Sequence, residues 1–140
     1  MRISQLQLQR CELIPNKLSS GTLYVSKKYQ TAVHLCCCGC KEEVVTPLSA
    51  VDWTFTIKQG GPSLSPSIGN WSFPCRSHYW VIGGRVQWAG DMSKTRIKKI
   101  QEADRQLKNS YIQHKNQQHS LIKLLTRFAK QAHKWLKSKL

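Results

Sequence analysis

The chain has 140 residues, enough for one compact domain and an appendage, and 40% of them are hydrophobic. Lys and Arg number 22 against 7 Asp and Glu, which gives a formal net charge of +15. No apolar run approaches the roughly 18 residues of a membrane span, and none near the N-terminus is long enough for a signal peptide. We therefore expect a cytoplasmic protein without a transmembrane segment.

The charge is unevenly distributed along the chain. Residues 1–92 carry nine basic and five acidic side chains, whereas residues 93–140 carry thirteen and two. This pattern predicts three segments, which are an N-terminal segment (1–20), a β-rich metal-binding domain (21–92) and a basic helical tail (93–140). A tail of this charge attracts polyanions such as nucleic acid, an anionic membrane or an acidic protein.

Short β-strands are predicted through the first part of the chain. Residues 1–20 are polar and end in a Ser-Ser-Gly loop signal. Beyond them, runs of β-forming residues predict strands at 23–25, 32–35 and 44–46. At 52–57 apolar and polar residues alternate, as in a half-buried strand.

A loop and a hairpin complete the predicted β domain. Prolines and glycines across residues 62–74 favour an irregular loop. Gly83-Gly84 then separates two strand-like runs, 79–82 and 85–88, and a Gly-Gly pair suits the tight turn of a two-residue hairpin. The predicted fold class is α+β, a small zinc-ribbon-like or treble-clef-like β domain followed by the helical tail.

From Ser93 onward the sequence has no Gly and no Pro, and apolar residues recur at helical spacing. We predict either one amphipathic helix or two that are separated by a break around 116–118. The apolar stripe is expected to dock on the β body, while cations at helical spacing meet a polyanion. The stripe comprises Leu121, Leu124, Leu125, Phe128, Ala132 and Trp135, and the cations are Lys123, Arg127, Lys130, Lys134 and Lys137.

Cysteines are concentrated in one bend, His34 to Cys40, which reads HLCCCGC. A second short stretch, PCRSH, places Cys75 three residues before His78. Two ligand-bearing loops separated by strands are typical of structural Zn²⁺ sites. A small β domain buries little apolar surface, so a bound metal ion would supply stability that its core lacks. Zinc is therefore the expected cofactor.

The spacing leaves the exact ligand set open. An extended bend would put Cys36, Cys38 and Cys40 on one face, whereas a tight knuckle would pair Cys37 with Cys40. We favour three of Cys36, Cys38, Cys40 and Cys75, with His78 and the remaining thiol competing for the last position. Other interpretations are an iron–sulfur cluster, a redox dithiol and buried thiols that bind nothing.

Several stretches of this sequence resemble a known bacterial family, the domain of unknown function DUF6527. They are LYVS, TAVHLCCCGC, VVTPLS, DWT and PSIGNWSFPCRSHYWVIGGRVQWAG, and they span about residues 21–90. The family bend is Cys-Pro-Cys-Gly-Cys-Gly, so Cys36, Cys38 and Cys40 match its cysteines and Cys37 stands where proline is usual. The resemblance implies a metal-binding domain, with some members encoded beside ubiquitin-like conjugation components.

These observations favour a zinc-binding accessory or adaptor protein of a bacterial ubiquitin-like conjugation pathway, rather than an enzyme. The first alternative is a nucleic-acid-binding zinc protein that uses the basic tail. A zinc-dependent hydrolase or deaminase is the weaker alternative, because the His-x-Glu and Pro-Cys-x-x-Cys pattern of zinc deaminases is absent. No Ser-His-Asp order of a hydrolase is visible in the sequence.

Overall fold

The computed structural model describes residues 1–137, and the side chains of Ala132, Trp135 and Leu136 lie outside the described set. The chain divides into two units, Met1–Ile97 and Lys98–Leu140. The first unit contains all eight strands of the described chain, and a single helix starts at its end. The predicted α+β class, a β-rich domain followed by a helix, is therefore confirmed.

The first sheet is formed by the N-terminal half of the body. Its strands follow chain order, with β1 parallel to β2 and the remaining pairs antiparallel. The strands are β1 (Gln7–Arg10), β2 (Thr22–Ser26), β3 (Thr31–Leu35) and β4 (Glu43–Pro47).

The second sheet is antiparallel throughout and also follows chain order. The predicted Gly-Gly hairpin is confirmed, since Gly83 and Gly84 have φ angles of 59° and 78° and join the last two strands. Such positive values are those that a two-residue primed turn requires. The strands are β5 (Thr54–Lys58), β6 (Gly61–Gly69), β7 (His78–Ile82) and β8 (Arg85–Trp88).

Strands also form in two stretches for which none was predicted. Residues 61–69, expected to be a loop, make the nine-residue strand β6 in the interior of the second sheet. Its prolines are accommodated because Pro62 lies at the strand start and Pro66 lies where the register shifts between Leu64 and Ile68. The predicted N-terminal segment contributes β1 to the first sheet.

The core of the body is formed by both sheets. Leu23 and Val25 of the first sheet and Tyr79 and Val81 of the second are at most 3% exposed and belong to one apolar cluster. Leu6, from the segment before β1, is 1% exposed in the same cluster. The N-terminal segment is therefore part of the packed body.

Helix α1 runs without interruption from Lys94 to Lys137, so of the two alternatives the single helix without a break around 116–118 is correct. Ser93 begins the helix, because its hydroxyl oxygen accepts a hydrogen bond from the backbone N–H of Arg96 at 3.3 Å. The helix faces water along most of its length, and within the described residues no helix is long and apolar enough to cross a bilayer.

Candidate functional site

Four cysteine side chains meet where the two sheets approach each other. Cys36, Cys38 and Cys40 lie in the connection between β3 and β4, and Cys75 lies in the connection between β6 and β7. Their sulfur atoms are all within 4.8 Å of one another. A set of four thiols this close can hold a metal ion, and such an ion would join a loop of the first sheet to a loop of the second.

The bend reaches this geometry through its backbone. Gly39 has a φ of 91°, and its N–H donates to the carbonyl of Cys36 at 3.0 Å. The N–H of Cys40 points at the sulfur of Cys38, 3.4 Å away. A side chain at position 39 would lie 2.6 Å from the backbone oxygen of Met1, so this tight turn requires glycine.

The sulfur-to-sulfur distances are short and similar. Cys36 lies 3.4 Å from Cys38 and 3.9 Å from Cys75, and Cys40 lies 3.8 Å from Cys75. Cys36 is fully buried, whereas Cys40 is exposed. The cluster therefore has a dry side against the core and a side open to water, by which an ion can enter.

The thiols differ in acidity. Burial raises the pKa of Cys36, and burial with the neighbouring thiols raises the pKa of Cys38. Burial acts in the same direction on Cys75, but hydrogen bonds from Ser77 and from the thiols of Cys38 and Cys40 outweigh it and lower the pKa of Cys75 to about 7. Cys75 therefore supplies the thiolate that a metal ion needs more readily than Cys36 and Cys38 do.

Two polar side chains support the cluster from the core side. The hydroxyl of Ser77 lies 3.1 Å from the sulfur of Cys36 and 3.5 Å from that of Cys75. Asn70 donates its amide N–H to Ser77 at 2.8 Å and approaches the sulfur of Cys36 at 3.6 Å. Hydrogen bonds of this kind orient metal ligands and hold thiolate charge.

The structure separates the other candidates from this group. His78 starts β7, and its Nε2 contacts Ser67 while its Nδ1 faces the carbonyl of Gly90. Cys37 is buried in the core, where burial raises its pKa to about 12. Cys11 lies beside β2, with its sulfur 4.0 Å from the carbonyl oxygen of Val25.

His78 instead makes a serine–histidine contact. Its Nε2 lies 3.0 Å from the hydroxyl oxygen of Ser67 on β6, and its Nδ1 lies 3.5 Å from the carbonyl oxygen of Gly90. Ser67 is half-buried, and His78 is 6% exposed. The arrangement has the components of an activated nucleophile, which are a hydroxyl, a base within hydrogen-bond reach and a group that orients the base.

Two tryptophans fix the imidazole of His78. Strand alternation sends Tyr79 into the core and puts His78 and Trp80 on the other face of β7, where their ring centres are 5.5 Å apart. The indole of Trp71 lies on the imidazole at 4.9 Å and also covers Gly69, where a Cβ would meet its Nε1 at 2.4 Å. The histidine therefore has little freedom to rotate.

A cleft of about 380 Å³ is lined in part by His78 and by two thiols of the cluster, Cys38 and Cys75. Its volume is in the range of pockets that hold a small molecule or a short piece of peptide. His78 thus contacts Ser67 and also lines an open cleft that it shares with the thiol cluster.

Sequence reasoning missed Ser67 altogether. It lies eleven positions before His78, a spacing that belongs to no motif, and the two meet only because β6 pairs with β7. The sequence offered one indication of this site, because residues 66–80, part of the longest stretch that resembles the bacterial family, contain both Ser67 and His78. The proposed polyanion-binding residues Lys123, Arg127, Lys130, Lys134 and Lys137 are all exposed on α1.

Comparison with known proteins gives one family. The family model described as "Bacterial ubiquitination-like system serine protease (BubE)" matches residues 10–89, more than half of the chain. The matched stretch contains the four clustered cysteines, Ser67 and His78, and it ends before α1. No significant match was found among curated proteins or among solved structures.

Proposed function

The chain belongs to this family of a bacterial ubiquitination-like system, and we propose that it is a serine protease of that system with Ser67 as its nucleophile. The observation that carries the proposal is the 3.0 Å contact between the Ser67 hydroxyl and Nε2 of His78. A hydroxyl becomes a nucleophile when an adjacent base accepts its proton, and this contact is within the range that such transfer requires.

The proposed reaction proceeds through an acyl-enzyme. With its ring proton on Nδ1, directed at the Gly90 carbonyl, His78 accepts the Ser67 proton at Nε2 as the oxygen attacks the scissile carbonyl. The protonated imidazole then gives that proton to the leaving amine, and the peptide bond breaks. Water, deprotonated by His78, hydrolyses the ester and regenerates Ser67. The Gly90 carbonyl takes the orienting role that an aspartate has in a triad.

We further propose that Cys36, Cys38, Cys40 and Cys75 bind Zn²⁺ as a structural ion. A tetrahedron with zinc–sulfur bonds of about 2.3 Å needs sulfur atoms about 3.8 Å apart, and the distances of 3.4, 3.8 and 3.9 Å in this structure are close to that value. Four thiolates leave no open position for substrate, which argues for structure rather than a zinc-dependent hydrolase or deaminase. The ion would hold the β6–β7 loop, which directly precedes His78, against the β3–β4 loop.

The cytoplasm suits such a protein, because a reducing compartment keeps clustered thiols from forming disulfides. The substrates we propose are ubiquitin-like proteins and their conjugates from the same system, cleaved near the ubiquitin-like C-terminus. A purely adaptor role within the conjugation pathway remains the second candidate. The Ser67–His78 contact favours the protease, since an adaptor has no use for a serine paired with an oriented histidine.

The experiment combines covalent labelling with hydrolysis. We expect a fluorophosphonate probe to label the full chain at Ser67, as located by mass spectrometry. Ser67→Ala should abolish labelling, and His78→Gln should reduce it strongly. Hydrolysis of a ubiquitin-like protein with a C-terminal extension should fall by roughly three orders of magnitude or more in both variants.

The matched control is Ser72→Ala, which removes an exposed hydroxyl from the loop that follows β6. The probe should label this variant, and the variant should hydrolyse the extended ubiquitin-like protein, to the same extent as the unmodified chain. Absence of labelling, or labelling at another serine, argues against the protease. If Ser67→Ala supports conjugation in cells as well as the unmodified chain, the adaptor role is the better explanation.

A further inference from the structure

Helix α1 exposes a broad apolar face in its C-terminal half. Five large apolar residues within eight positions are between 49% and 66% exposed, which is unusual for a water-soluble helix. At 3.6 residues per turn they occupy one side of the helix. They are Leu121, Ile122, Leu124, Leu125 and Phe128.

The opposite side of the same turns is cationic. Lys123, Arg127, Lys130 and Lys134 follow one another at steps of four, three and four, and they line an open groove along the helix. No acidic residue occurs after Asp104, so no carboxylate neutralises them from within this part of the helix. The helix therefore presents an apolar face and a face of uncompensated positive charge.

We propose that residues 121–134 of α1 form a binding surface for anionic phospholipid membranes. A helix with large apolar side chains on one face and Lys and Arg on the other lies in the plane of a bilayer interface. Its apolar side chains enter the acyl boundary, and its cations reach the lipid phosphates with their long side chains. The proposal does not depend on the protease assignment, since it concerns a different part of the chain.

Other polyanions and a second copy of the chain account for less of the pattern. Nucleic acid would neutralise the cations but leave five large apolar side chains in water. A two-stranded coiled coil needs apolar residues every three to four positions throughout, and the repeat that starts at Ile97 and Ile100 places Asp104, His114 and Gln118 in its seam. Exposed apolar residues also occur earlier on α1, at Ile100, Leu107, Tyr111 and Ile112, but they are densest at 121–128, where five fall within eight positions.

The test is co-sedimentation of the full-length protein with vesicles. We expect it to bind vesicles of phosphatidylglycerol and phosphatidylethanolamine, and to bind vesicles of phosphatidylcholine weakly. Each cation contributes about fivefold to the partition coefficient, so Lys123→Gln/Lys130→Gln/Lys134→Gln should lower it by about 100-fold. The matched control replaces the same three lysines with arginine and should bind normally.

A second variant tests the apolar face. Leu124→Ser/Leu125→Ser/Phe128→Ser should lose vesicle binding with its charge unchanged, whereas the polar-face control Thr126→Ser/Gln131→Ser should retain it. Vesicle binding that depends on the lysines alone would overturn the proposal. Binding of the full-length protein to duplex DNA but not to vesicles would also overturn it. So would a dimer, detected by light scattering, that does not bind vesicles and that the serine variant dissociates. A third contrary outcome is a serine variant whose only defect is a lower melting temperature.

Discussion

Removal of the metal ion that we propose at the four-cysteine cluster should destabilise the body severely. An ion held by Cys36, Cys38, Cys40 and Cys75 closes a loop of about 40 residues, and the chain-entropy model assigns about 4 kcal/mol to a cross-link of that length. Small domains have roughly 5–15 kcal/mol of stability in total. For a body of this size the loss corresponds to a fall in melting temperature of about 15–30 °C. Cys75→Ser should have a similar effect, because within the described cluster it is the one cysteine that lies between two strands of the second sheet.

The assay is thermal unfolding before and after treatment with a chelator, together with metal analysis of the purified chain. We expect about one zinc per chain, with the melting temperature restored when zinc is returned. Cys11→Ser is the matched control, since that thiol lies outside the cluster, and it should change neither value. A structural zinc ion is ruled out if the purified chain is free of metal, if it holds iron with inorganic sulfide, or if chelation leaves the melting temperature unchanged.

Two further predictions concern residues around the site. Tyr79→Phe removes the hydroxyl that lies 2.8 Å from Nε2 of His34. The other ring nitrogen, Nδ1, already has no partner within the described chain, so the buried imidazole would lose its hydrogen bond. The free energy of unfolding, measured in urea, should fall by about 1–3 kcal/mol. In a double-mutant cycle with His34→Leu the two losses should not add, and strict additivity would contradict the pairing. Gly69→Ala places a Cβ 2.4 Å from the Trp71 indole and should displace it from His78. We expect hydrolysis to fall about tenfold at a cost of about 1–3 kcal/mol in stability, and unchanged hydrolysis would show that this indole does not position the imidazole.

Local patterns in the sequence predicted the local structure well. The Gly83-Gly84 hairpin was predictable because a two-residue turn needs positive φ angles that glycine adopts without strain. The strand at 32–35 and the thiols of the following bend were recognisable from residue type and spacing alone. Each of these features is decided by residues that are close neighbours in the chain.

The catalytic candidates were hidden because they depend on long-range pairing. Strand β6 contains two prolines, which argued for a loop, and only its pairing with β5 and β7 stabilises it as a strand. Without β6 there is no reason to place Ser67 beside His78. The spacing from Cys75 to His78 resembled a ligand pair, but Cys75 lies in a loop with the other clustered thiols, whereas His78 begins β7 and its Nε2 contacts Ser67.

The N-terminal residues connect the parts of the body that carry these sites. The N–H of Ile3 donates to the carbonyl of Cys37, Leu6 and Ser4 form hydrogen bonds with Gly84 and Val86, and Gln7 then enters the first sheet. Contacts between positions about 80 residues apart are slow to form, because a long chain must close before they contribute any stability. We therefore expect the body to fold slowly and in one cooperative step. Neither sheet should be stable until the strand after Gly84 has formed its hydrogen bonds with the residues around Ser4.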